Sequence, residues 1–91
     1  DEHTKFTMRI NLIIIFKMKK LYDININIAV KVINIDSYYS SLIRLSEMGI
    51  IPGTVIRIVK KTPFGGPIQL RLNNYYVAIR KEDAKMINVT I

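Results

Sequence analysis

From residue 21 onward, apolar and polar positions alternate in two distinct rhythms. In "DININIAVKVINID" Ile24, Ile26, Ile28, Val30 and Val32 fall on one side, and Asn25, Asn27, Ala29 and Lys31 on the other. A period of two built from β-branched residues predicts a strand. The parity changes at Ile33 and Ile35, so a bend or bulge is expected near the strand's end. In "SYYSSLIRLSEMG" the rhythm lengthens: Tyr38, Leu42, Leu45 and Met48 recur at intervals of three and four, the apolar stripe of a helix. Asp36 or Ser37 is the expected N-cap. Arg44 is expected to reach Glu47 at i, i+3.

Turn residues then punctuate the chain. Gly49 suits the left-handed C′ position that ends a helix, which would set Ile50 against Leu45. Ile51-Pro52-Gly53-Thr54 fits a type II turn, with proline's fixed φ second and glycine's positive φ third. "TVIRIVKK" (residues 54–61) reads as a strand, closed by "TPFGGP", whose Pro63, Gly65, Gly66 and Pro67 mark a second reversal. "IQLRL" and "YYVAI" alternate on either side of Asn73-Asn74, where a two-residue hairpin wants positive φ at both positions. "RKEDAK" is a single helical turn with Glu82 and Asp83 near its positive end, and "MINVTI" is a last strand. The predicted fold is mainly β: a small SH3-like barrel of five or six short antiparallel strands, one inserted α-helix, and a short helical turn before the last strand.

Composition narrows the function. Ninety-one residues make one small domain with a single core and little room for a deep cleft. The absence of cysteine removes disulfides, thiolate nucleophiles and sulfur-rich metal sites, and fits a reducing compartment. Net charge is +7, unevenly spread: residues 1–20 hold Lys5, Arg9, Lys17, Lys19 and Lys20 against Asp1 and Glu2. Beyond them stand nine basic and five acidic residues, or +4. That favours acidic partners but falls short of the concentrated stripe of a dedicated nucleic-acid binder. The apolar run Ile10–Phe16 is too short to span a bilayer, which needs about twenty apolar residues. It reads as an added strand, a packed arm, a non-native leader or a membrane-surface contact. Met18 begins "MKKLYDI", so residues 1–17 are taken as an extension and 18–91 as the barrel domain.

No catalytic constellation is legible. The single histidine, His3, sits in a polar terminus; Glu82 and Asp83 point about 100° apart on a helical turn, and no histidine accompanies Ser37, Ser40, Ser41 or Ser46. No ligand cluster suits zinc or iron. Gly65-Gly66 joins two strands and lacks the lysine and helix of a phosphate loop. The candidate surface is a binding one. Phe64, between Pro63 and Gly65, either anchors a partner or folds back over the barrel. Arg57, Lys60, Lys61 and Arg71 form a basic patch on neighbouring strands, able to steer an acidic partner. Arg44, Gly65 and Gly66 complete the candidate set.

Taken together, "RLSEMGIIPGTVIRIVKKTPFGGPIQLRLNNYYVAIRKEDAKMINV" resembles the FeoA family, ferrous iron transport protein A. The matching positions are Arg44, Leu45, Met48, Gly49, Ile50, Pro52, Gly53, Pro63, Gly65, Gly66, Pro67, Arg80, Asp83 and Ala84. Asn73-Asn74 stands where a glycine is common. The resemblance implies an SH3-like fold; the lack of a catalytic or ligand cluster predicts no enzymatic activity and no required cofactor beyond weak divalent-metal binding. The resemblance also implies a cytoplasmic accessory role, with the cytoplasmic domain of the ferrous iron transporter as partner. Two rivals are a small basic nucleic-acid-binding barrel and a metal-responsive regulatory domain. A homo-oligomer built through an edge strand or through the apolar arm at Ile10–Phe16 is a further expectation.

Overall fold

The computed structural model describes residues 18–91, and the expectations for residues 1–17, including His3, lie outside them. The described chain runs β1 (Lys19–Lys20), β2 (Val30–Ile35), α1 (Tyr39–Glu47), β3 (Val55–Lys61), β4 (Ile68–Leu72), β5 (Tyr75–Ile79), α2 (Lys81–Ala84) and β6 (Ile87–Thr90). The six strands form one sheet in the order β1-β6-β2-β3-β4-β5, and every pairing is antiparallel. The core follows the predicted parity. Val30, Val32, Ile56, Ile58, Ile68, Leu70, Leu72 and Ile79 turn inward and meet Leu45 from α1 and Leu21 from the turn after β1. Each such aliphatic side chain contributes about 1.5–3 kcal/mol by leaving water.

Strand β2 is shorter than the alternation from Ile24 suggests. Residues 24–29 form a loop in which Asn27 takes φ 66° and its N–H donates to the Ile58 carbonyl at 2.7 Å. Ile26 is 50% exposed, so the alternation there is not a buried face. Asparagine at every second position is as much turn chemistry as it is a polar strand face. The predicted bulge is present: Val32 faces Val89 and Asn34 faces Asn88, leaving Ile33 unpaired. A second bulge falls between Ile58 and Lys60.

Helix α1 ends as the sequence requires. Gly49 has φ 91°, its N–H donates to Ser46, and the Ile50 N–H donates to Leu45, so the last carbonyls are satisfied in a Schellman motif. The Tyr75 hydroxyl adds a bond to the Met48 carbonyl at 3.0 Å. Gly53 has φ 93°, and Thr54 N–H donates to Ile51, completing the type II turn. The other end differs from expectation. Tyr38 occupies the N-cap without a side-chain bond and is 80% exposed rather than part of the stripe. Asp36 instead accepts from Lys20 and Asn88, which removes it from the helix start.

Candidate functional site

The β3–β4 connection is shaped by its own hydrogen bonds. Thr62 N–H donates to Pro67 and Gly66 N–H to Pro63, closing a tight reversal. Phe64 (φ 61°, ψ 34°) and Gly65 (φ 76°) both take left-handed conformations. Gly65 suits that region, whereas a phenylalanine there carries a steric cost of roughly 1–2 kcal/mol. Gly66 is extended and is required for space instead: a Cβ would lie 2.6 Å from Thr62 Cγ2. The Phe64 ring is fully exposed, so it does not fold back over the barrel.

Behind this loop lies an open groove lined by Arg44, Gly65, Gly66, Pro67, Arg80 and Lys81. Arg44 does not pair with Glu47. Its Nη2 donates at 2.7 Å to Asp83 Oδ1, a carboxylate only 1% exposed. Arg80 approaches the same carboxylate through Nη2 at 3.2 Å and Nε at 3.3 Å, and its backbone N–H donates to Oδ2 at 3.1 Å. Burial pushes the Asp83 carboxyl up, but the hydrogen bonds from Arg80 and Arg44 outweigh it and hold the group below the usual carboxylate range. Asp83 thus does more than favour a helix end. It fixes Arg44 and Arg80 along one wall of the groove.

The basic patch predicted on β3 and β4 is split in two. Arg57 stands directly opposite Arg71, and Arg71 lies over the Tyr76 ring at 6.0 Å. Lys60 is exposed beyond the bulge. Lys61 leaves that company: its Nζ donates to the Tyr22 carbonyl at 2.9 Å and sits 5.4 Å from the Tyr22 ring centre. Lys81 and Lys85 join it at 5.7 and 5.2 Å from the same ring. Sequence reasoning missed this cluster, because Tyr22, Lys81 and Lys85 carry no local signal that they meet.

The hairpin between β4 and β5 differs from the expected one in a detail. Asn73 has φ 50°, whereas Asn74 does not share the positive φ that a type I′ hairpin asks of both positions. A second, apolar groove runs beside α1, lined by Ile35, Tyr39, Leu42, Ile43, Ile51 and Pro52. Among the described residues, no group of three or more histidine, cysteine or acidic side chains could hold a metal ion. Among them too, no helix is long and apolar enough to cross a membrane.

These features match known proteins. The FeoA domain model covers residues 19–91. The chain is 38% identical over 48 residues to the Fe(2+) transport protein A/Fe(2+) transporter FeoB fusion protein of Porphyromonas gingivalis. That match takes in 53% of this chain and spans 6% of the fusion protein's length. The FeoA-like protein from Clostridium acetobutylicum is 40% identical, with a TM-score of 0.72 covering 82% of this chain and 87% of that one. The FeoA of Stenotrophomonas maltophilia, described as an SH3 domain protein complexed with zinc, shares the fold at a TM-score of 0.67 and 24% identity, covering 78% of this chain and 88% of that one. With the paired glycine–proline turns, the inserted helix and the six-stranded antiparallel sheet all in place, the chain belongs to the FeoA family.

Proposed function

We propose that this chain is a non-enzymatic accessory module of ferrous iron uptake. It binds the cytoplasmic part of the ferrous iron transporter and biases that part's conformation. The observation that carries this reading is the Porphyromonas gingivalis relative, in which transport protein A and the transporter are one fused polypeptide. Two such segments in one chain work at a high effective concentration, which suits a contact too weak to persist between separate proteins.

The docking surface in this proposal runs from α1 across Arg44 to Gly65 and Gly66. Tyr39, Ile43 and Ile51 offer apolar area beside the helix, and the groove wall is held rigid by Asp83. Arg57, Lys60 and Lys61 supply charge that speeds encounter with an acidic surface rather than adding much affinity. A protein is favoured over a nucleic acid as partner because the rings are dispersed. Tyr76 sits with Arg71, Tyr22 with the lysines, and Tyr38 and Tyr39 at the start of the helix.

The test is calorimetry of the chain against the transporter's soluble domain across a range of salt. The expected result is saturable binding whose association weakens with salt, and which is lost on Ile43→Asp. An absence of heat at every ionic strength would sink the proposal.

A further inference from the structure

Three ammonium groups and one exposed aromatic share a rim of the molecule, of which the docking proposal draws only on Lys61 and the adjoining glycines. Lys61, Lys81 and Lys85 place their Nζ atoms within 5.2 to 5.7 Å of the Tyr22 ring centre. None of the three belongs to an ion pair among the described residues, where the acidic partners serve Lys20, Arg44 and Arg80. The Tyr22 face and its carbonyl therefore hold together a cluster of like charge. The loop bearing Phe64 adjoins it: a Cβ on Gly65 would lie 3.8 Å from Lys81 Nζ. Phe64 itself projects from this loop, fully exposed and in a left-handed conformation that its side chain does not favour.

We propose that this rim docks on the surface of an anionic phospholipid bilayer. Phe64 enters the boundary between headgroups and acyl chains, and Lys61, Lys81 and Lys85 meet the lipid phosphates. The chemistry favours a bilayer over an acidic protein for two reasons. The groups are lysines, point charges on flexible stems that suit a diffuse negative surface; arginine's planar fork is the better reader of a fixed carboxylate. Arg44 and Arg80 are already committed to Asp83. The aromatic also protrudes instead of lining a seat, as an interfacial anchor must. One ring and a few lysines give reversible attachment, with each lysine near an anionic leaflet worth about a fivefold gain in binding.

This inference needs no transporter, so it stands or falls separately from the calorimetry above. The experiment is cosedimentation of the chain with phosphatidylcholine vesicles and with vesicles also containing phosphatidylglycerol. Binding is expected only to the latter and should weaken with salt. The combined change Lys61→Gln, Lys81→Gln and Lys85→Gln should weaken it about 100-fold. Phe64→Gly removes the ring while suiting the backbone, and should weaken binding roughly tenfold. The apolar run at residues 10–16 is present in every variant, so these differences report the rim alone. Phe64→Trp introduces the single tryptophan of the chain, and its emission should shift to the blue on anionic vesicles and be quenched by spin-labelled lipid. Circular dichroism confirms that each variant is folded. Equal binding to both vesicle types, no binding to either, or a bound Phe64→Trp protein with unshifted emission overturns the proposal. Binding to polyglutamate without binding to anionic vesicles overturns it too, in favour of an acidic polypeptide.

Discussion

Arg44 and Asp83, 39 positions apart, meet at 2.7 Å and lock helix α1 to the helical turn before the last strand. Asp83 is the buried member, and Arg44 is partly exposed, so the pair avoids the cost of taking two charges fully out of water. Losing the carboxylate leaves two guanidinium groups facing each other with no counter-charge between them.

Asp83→Asn should therefore destabilise the fold by about 2–3 kcal/mol near neutral pH. Thermal denaturation would read this as a drop of roughly 10 °C or more. The effect depends on pH with a definite sign. The folded-state pKa of Asp83 is lowered, so its contribution is complete above the unfolded value of about 3.9 and is lost as pH falls through the folded value. The gap in melting temperature between the parent and Asp83→Asn should accordingly close in acid. A gap that stayed constant down to the lowest workable pH would contradict the ion-pair account.

Gly49 is constrained twice, by φ 91° and by the Tyr75 hydroxyl, which an added Cβ would strike. Gly49→Ala should cost about 2 kcal/mol or more. Tyr75→Phe removes the clashing oxygen along with its bond to the Met48 carbonyl. The double variant should be less destabilised than the sum of the singles, and a double-mutant cycle by urea unfolding measures the coupling. Strict additivity would show that backbone conformation alone makes glycine necessary here.

Phe64→Gly should stabilise the protein by about 0.5–1 kcal/mol, because glycine adopts φ 61° without strain and no buried contact is lost. The readout is the urea midpoint at unchanged slope. A lower midpoint would mean that the ring supports the fold.

Ser37 Oγ is enclosed without a hydrogen-bond partner among the described residues. Removing an unsatisfied hydroxyl relieves a desolvation cost, so Ser37→Ala should be neutral or stabilising by up to about 1 kcal/mol. A loss of more than that in thermal denaturation would show that the hydroxyl is bonded, through water or otherwise.

How much of this was legible follows from the range of each interaction. Gly49 and the Pro52–Gly53 turn could be read because their φ requirements are local and few residues meet them. The parity break at Ile33 likewise announced a bulge. Arg44 was misassigned to Glu47 because the helix offers that neighbour at i+3, whereas Asp83 becomes one only when the sheet closes. A sequence signal for it did exist: an acidic residue at the third position of a helical turn, able to accept from the backbone N–H at the turn's start, as Asp83 does from Arg80. Lys61 belongs to the expected patch with Arg57, Lys60 and Arg71 on neighbouring strands, but beyond the bulge at Val59 it reaches Tyr22, 39 positions earlier. The asparagines of residues 25 and 27 satisfied a strand pattern and a turn pattern equally, and contact with Ile58 decided between them.

Lys19 pairs with Val89 and Lys20 with Asn88, so the polypeptide enters and leaves the sheet side by side. A bridge of a few residues between these points would close a small loop at little entropic expense. The fold should then accept circular permutation, with new ends opened between Asn73 and Asn74. The same adjacency means that a neighbour tethered at either end of the sheet would hang from one corner, leaving the opposite faces unobstructed.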